Sequence, residues 1–149
     1  MALVVDAANV VGSRPDGWWR DRPGAAARLV NRLATALTGG ALDGPVVVVL
    51  EGAARAGAPA GTWCGQPTGT QPDGPTGSPA DGPTGSRADG PVVVHAERDG
   101  DSTIVAEVAA LVATGTEPTV VTADRALRER VIAAGGRVVG PGWLLERLV

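Results

Sequence analysis

A chain of 149 residues with a net charge of −3 has the length of one ordinary domain and no global pull toward nucleic acid. All 13 basic residues are Arg and none is Lys, which excludes P-loop NTPases, Schiff-base and pyridoxal enzymes, response-regulator receivers and haloacid-dehalogenase-type phosphatases, each of which uses a Lys. The single Cys64 rules out a disulfide framework or a Cys-based metal site, and no apolar run approaches a membrane span, so a cytoplasmic protein is expected.

The first strand-like run covers residues 2–5 and ends at Asp6. An acid at the end of a buried strand costs desolvation unless it is partnered, so Asp6 points to function rather than packing. Arg14, Trp18, Trp19, Arg20 and Arg22 follow before the first clear helical pattern. Their rings suit stacking on bases and their guanidiniums suit phosphates; packing at the sheet edge and solvated charge are the plainer alternatives. Residues 27–37 then place Leu29, Val30, Leu33 and Leu37 on one helical face, with Asp21-Arg22-Pro23 reading as loop into helix start.

A second strand over 46–50 ends at Glu51. From about residue 56 to 90 the chain is mostly Gly, Pro, Ala, Ser, Thr and Asp, and Asp73-Gly74-Pro75-Thr76-Gly77-Ser78 returns as Asp81-Gly82-Pro83-Thr84-Gly85-Ser86. So few apolar side chains do not offset the entropy of ordering a backbone, and this stretch reads as a flexible insertion within a single domain spanning 1–149. Replacing residues 61–90 by a short Gly-Ser link is expected to leave the melting temperature within a few degrees, because closure entropy varies slowly with loop length. A collapse of folding would show that the repeats pack on the domain.

The third strand, 92–95, contains the only His, His95, for which a core or hydrogen-bonded role is expected. Asp101 opens a helical pattern over 102–113 with Ile104, Val105, Val108, Leu111 and Val112. A fourth strand over 119–122 leads to Asp124 and to a helix over 125–134 carrying Leu127 and Val131. A fifth strand, 137–139, and a short helix with Leu144, Leu145 and Leu148 close the chain, Trp143 being expected in the core. The strands are Val-rich and nearly unbroken, as in a parallel sheet covered on both faces. This alternation predicts a three-layer α/β/α sandwich with right-handed crossovers and a parallel sheet of about five strands in the order 3-2-1-4-5.

In that order the first and fourth strands are neighbours at the switch point, where open α/β sheets bind ligands beyond their strand ends. Asp6 and Asp124 then end adjacent strands, and Asp101 begins the helix leaving the third. Carboxylate oxygens gathered there suit Mg²⁺ or Mn²⁺. Asp101 and Asp124 each stand at a helix start, so capping is the plain alternative for either. Asp6 has no such alternative.

Taken together, Val4-Val5-Asp6-Ala7-Ala8-Asn9-Val10, Gly100-Asp101-Ser102-Thr103-Ile104-Val105 and Val120-Val121-Thr122-Ala123-Asp124-Arg125 resemble the motifs of the NYN branch of the PIN-like nucleases, YacP-like proteins in particular. The resemblance spans nearly the whole chain apart from the insertion. It implies a PIN-like fold and a ribonuclease dependent on Mg²⁺ or Mn²⁺, leaving a 3′-hydroxyl and a 5′-phosphate. By resemblance, Asp6, Asp101 and Asp124 hold the metal and Asn9 and Thr122 orient them. Glu51 is the candidate for the additional acid of PIN-like chains, and Ser102 stands where some relatives carry a second adjacent acid, which lowers the charge available to a second metal. A divalent ion that activates water and neutralises phosphoryl charge leaves no need for a side-chain general base.

RNA is therefore the expected partner, with Arg14, Trp18, Arg20, Arg22, Ser102 and Arg125 as candidate substrate contacts and no membrane association. The oligomeric state, a homodimer included, stays open. Two other readings compete: a non-catalytic RNA-binding or RNA-processing accessory with a degenerate site, favoured by Ser102 and the acidic net charge, and a metal-dependent nucleotide hydrolase, which needs no broad basic surface.

Overall fold

The computed structural model describes residues 2–13, 17–62 and 90–148. Six strands, β1 (Ala2–Asp6), β2 (Val46–Leu50), β3 (Gly61–Thr62), β4 (Val92–His95), β5 (Pro118–Val121) and β6 (Arg137–Val139), form one sheet in the order β3-β4-β2-β1-β5-β6. All pairings are parallel except that of β3 with β4. The five strands read from the sequence thus take the expected order 3-2-1-4-5, and β3 adds a short antiparallel edge. Helices α1 (Ala7–Gly12), α2 (Arg22–Gly39), α3 (Gly100–Ala113), α4 (Arg125–Ala133) and α5 (Pro141–Arg147) cover both faces. Among the described residues no helix is long and apolar enough to cross a membrane.

Side chains alternate between faces along a strand, and here both faces are covered. Leu3 and Val5 of β1 therefore join Val48 and Leu50 of β2 beneath Leu29, Val30 and Leu33 of α2 and Leu144 of α5. Val4, Val47, Val49 and Val120 point the other way, beneath Ile104 and Val108 of α3 and Leu127 and Val131 of α4. Each such side chain contributes about 1.5–3 kcal/mol on full burial, so neither face of the central strands can afford polar residues. Every residue of β1 and β2 is buried. Asp6 is the one acid among them.

α2 starts at Arg22, ahead of its periodic apolar stretch, because Asp21 caps it: Oδ1 accepts from the Gly24 N–H at 2.9 Å, and Pro23 sits in the first turn. α1 was not legible from periodicity, being a six-residue helix that follows β1 with no loop between them.

The beginning of the stretch read as an insertion is structured. A 3-10 turn covers Gly52–Gly57, Ala58 is buried with its carbonyl oxygen 2.8 Å from His95 Nε2, and β3 follows. Residues 63–89 of that stretch lie outside the described residues. Any shortening of the loop must therefore begin after Thr62.

Gly57 seats the turn against α2, since a Cβ there would stand 2.2 Å from the Pro23 carbonyl oxygen and 3.0 Å from Ala26 Cβ. Backbone cannot swing aside as a side chain can. Gly57→Ala is expected to cost about 1–3 kcal/mol as overpacking, seen as a lower urea midpoint at unchanged slope. An unchanged midpoint would mean that the turn lifts off α2 freely.

Candidate carboxylate site at the sheet rim

The parallel registers set Asp6 across from Val49 of β2 and Val5 across from Val121 of β5, so Glu51 and Thr122 emerge at the same carboxyl-terminal rim as Asp6. Asp6 is 6% exposed and Thr122 is 1% exposed. Thr122 Oγ1 donates to Asp6 Oδ2 at 3.0 Å, and Asn9 Nδ2 donates to the same oxygen at 3.0 Å. Asn9 Oδ1 accepts from the Ala123 N–H at 2.9 Å, and Thr122 Oγ1 accepts from the Asp124 N–H at 3.1 Å. Asn9 and Thr122 each donate on one side and accept on the other, which an amide and a hydroxyl can do. They tie the carboxylate at the end of β1 to the loop after β5.

The assignment of caps differs from the sequence reading in two places. Asp6 does cap a helix: it is the N-cap of α1, its Oδ1 facing the Asn9 N–H at 3.4 Å. The strand runs directly into the helix, so one residue ends the first and caps the second. Asp101, in contrast, caps nothing. Asp99 is the N-cap of α3, its Oδ1 accepting from the Ser102 N–H at 2.8 Å and its Oδ2 facing the Ser102 hydroxyl at 3.4 Å. Asp101 sits in the first turn, with no hydrogen bond or ion pair to another described residue. The paired acids in Asp99-Gly100-Asp101 were the available signal, the earlier one being placed to cap. Asp124 caps α4 as expected, through Oδ1 and the Leu127 N–H at 3.1 Å.

Glu51 Oε1 accepts from the Gly100 N–H and so links the end of β2 to the start of α3. A Cβ on residue 100 would lie 2.8 Å from that oxygen, so glycine permits the approach.

Electrostatics connect these acids. Burial pushes the Asp6 carboxyl above the ordinary carboxylate range; hydrogen bonds from Thr122 and Asn9 work against the rise, and the charge of Asp101 adds to it. Asp101 is also raised, first by burial, then by the charges of Asp124 and Asp99, with Arg130 opposing and Glu51 adding a little. Hydrogen bonds from Ser102 lower Asp99. Asp6, Asp101, Asp124 and Glu51 thus share one negative field. Arg130, exposed on α4 and one of the three Arg that follow Asp124 in the sequence, is its nearby counter-charge.

The donors are all hard oxygens, the type Mg²⁺ and Mn²⁺ prefer. Among the described residues no three Asp, Glu, His or Cys side chains are placed closely enough to hold an ion together. Asp6 is fixed by its hydrogen bonds, whereas the Asp101 carboxylate and the second oxygen of Asp124 carry none to described residues.

The substrate candidates are more scattered. Arg14 and the Trp18 side chain lie outside the described residues. Trp19 is 52% exposed on a 3-10 turn, with the Arg20 guanidinium 6.0 Å from its ring centre. Arg22 and Arg125 are exposed at the starts of α2 and α4. The exposed Ser102 serves the Asp99 cap. Trp143 packs half-buried against the core.

No family model and no curated protein matches the chain. Among solved structures it is similar to Rae1 (YacP) from Bacillus subtilis, in a W164L mutant, with a TM-score of 0.62 and 19% identity, over 99% of this chain and 74% of that one. The fold is therefore YacP-like.

Proposed function

We propose that this protein is a divalent-metal-dependent ribonuclease whose metal ligands are Asp6, Asp101 and Asp124, with Glu51 in support. The observation that carries the reading is Asp6, a carboxylate buried at the switch point, raised by desolvation, and held by two side chains that also anchor the loop after β5. Neither packing nor capping requires so buried an acid, because Ser or Asn caps as well at lower desolvation cost. The YacP-like fold agrees with the motif resemblance that implies RNA hydrolysis.

When bound, Mg²⁺ or Mn²⁺ would supply an activated water and neutralise charge developing on the phosphoryl oxygen. The chain supplies placement. Thr122 and Asn9 fix the Asp6 oxygens, the α4 cap holds Asp124 at the rim, and Asp99 relieves Asp101 of capping.

The wide placement of the carboxylates and the diversion of Ser102 to the Asp99 cap favour a second reading, an RNA-binding accessory without catalysis. Long single-stranded RNA and free nucleotides, each incubated with Mn²⁺ and with EDTA, separate the cases. Metal-dependent cleavage of RNA that is lost in Asp6→Asn supports the nuclease. RNA binding without cleavage supports the accessory, and turnover of nucleotides alone supports a nucleotide hydrolase.

A further inference from the structure

α2 contains Arg22, Arg28 and Arg32 and not one acidic residue, an imbalance in a chain whose net charge is −3. Arg28 and Arg32 stand four residues apart, on one helical face and about 6 Å apart along the axis. Both are exposed, and neither has a hydrogen bond or ion pair to any described residue; the ion pair found among those residues is Arg137 with Glu117.

These two side chains line a groove between α2 and α5. Its upper part, about 80 Å³, is bounded by Arg28 and Arg32 over Val10, Leu29 and Leu145. Its lower part, about 350 Å³, shares Arg32 with the first and is lined also by Asn31, Thr35 and Arg147. Among the described residues no acid lines either part. Arg147 is held in place, with its guanidinium 3.9 Å from the Trp143 ring and one N–H donated to the Trp143 carbonyl at 2.8 Å, which leaves further donors for a ligand. Because β1 and β2 are parallel, α2 must run from the rim back to the opposite edge of the sheet. The groove therefore leads away from the carboxylates.

We propose that this groove carries the phosphodiester backbone of single-stranded RNA leaving the carboxylate rim, with Arg28 and Arg32 as the phosphate contacts. The proposal rests on RNA being the substrate. Positive charge without acidic partners among the described residues suits a polyanion. The rim itself is negative and cannot hold a polyanion unaided.

The test uses the full chain, the variant Arg28→Glu/Arg32→Glu and the milder Arg28→Gln/Arg32→Gln, with fluorescence anisotropy in EDTA on single-stranded RNAs of about four and about twelve nucleotides. Wild type is expected to bind the longer RNA more tightly. The Glu variant should bind it about tenfold more weakly, with a log–log salt slope shallower by about 1.4 for two lost phosphate contacts. The Gln variant should fall between, while the Mn²⁺-induced thermal shift stays as in wild type. Unchanged affinity and slope for the longer RNA overturn the proposal. Polyglutamate bound as tightly as RNA would reassign the groove to an acidic protein partner. Failure of the nuclease reading appears separately, as absent Mn²⁺-dependent cleavage with the length-dependent binding intact.

Discussion

Replacing Asp6 by Asn is expected to leave the metal-free protein as stable as before, or more so, while abolishing both RNA cleavage and the stabilisation conferred by Mn²⁺. An Asn side chain can offer its oxygen to Thr122 Oγ1 and Asn9 Nδ2, which leaves its amide opposite the Asn9 N–H, a contact already long at 3.4 Å. What it removes is a desolvated charge. The sign follows from the direction of the shift: Asp6 and Asp101 are raised, so the folded state binds their protons more tightly than the unfolded chain does. Their contribution to stability is therefore full below the ordinary carboxylate range and is lost as pH rises through their raised values. Wild type in EDTA should gain stability from these two groups on mild acidification, and Asp6→Asn should flatten that dependence.

Metal reverses the preference, since a ligand stabilises only the state that binds it. At a hundredfold excess over its dissociation constant the gain is about 2.7 kcal/mol, or about 10 °C in a domain of this size. Asp124→Asn should behave similarly, because Asn caps α4 about as well as Asp. Thermal-shift titrations of wild type and both variants decide the matter. No Mn²⁺-dependent shift in wild type at millimolar metal would sink the metal site and leave the RNA-binding accessory as the better reading.

The second large effect concerns Thr122 and needs no metal at all. Its hydroxyl donates to Asp6 Oδ2 and accepts from the Asp124 N–H while 1% exposed. Thr122→Val keeps the shape and removes both bonds. Two polar groups then each lose a partner in a place water scarcely reaches, at about 1–3 kcal/mol each, so a loss of about 2–6 kcal/mol and a melting temperature lower by about 10 °C or more are expected. Thr122→Ser keeps the hydroxyl and should lose only about 1 kcal/mol for the missing methyl. Equal losses in the two variants would show that packing, not the hydroxyl, matters at this position. Asp6→Asn combined with Thr122→Val should cost less than the separate effects suggest, because the two residues share one interaction.

Local patterning was enough for the central architecture. The Val-rich runs of β1, β2 and β4 are apolar up to Asp6 at the end of β1 and His95 at the end of β4 because helices cover both faces of the sheet, and that alone indicates a parallel sheet. Right-handed crossovers and short connections then narrow the strand order, which brings Asp6 and Asp124 to neighbouring strand ends. Asp21 and Pro23 likewise announce the start of α2 through interactions spanning three residues.

Contacts distant in sequence leave no such periodic trace, and these were decided by the tertiary structure. The link from Asn9 to Ala123 crosses 114 positions and that from Glu51 to Gly100 crosses 49, so neither could be read from spacing. The turn Gly52–Gly57 and strand β3 are made, Arg55 apart, of small residues without a hydrophobic period; they hold because Gly57 fits against Pro23 and because β4 offers an edge to pair with. Even the choice between Asp99 and Asp101 as the cap of α3 depends on where the chain leaves β4, since the capping residue must have extended backbone while its side chain meets the helix N–H groups. Periodicity records which face a residue buries, but the partner it meets there is set only when the layers close.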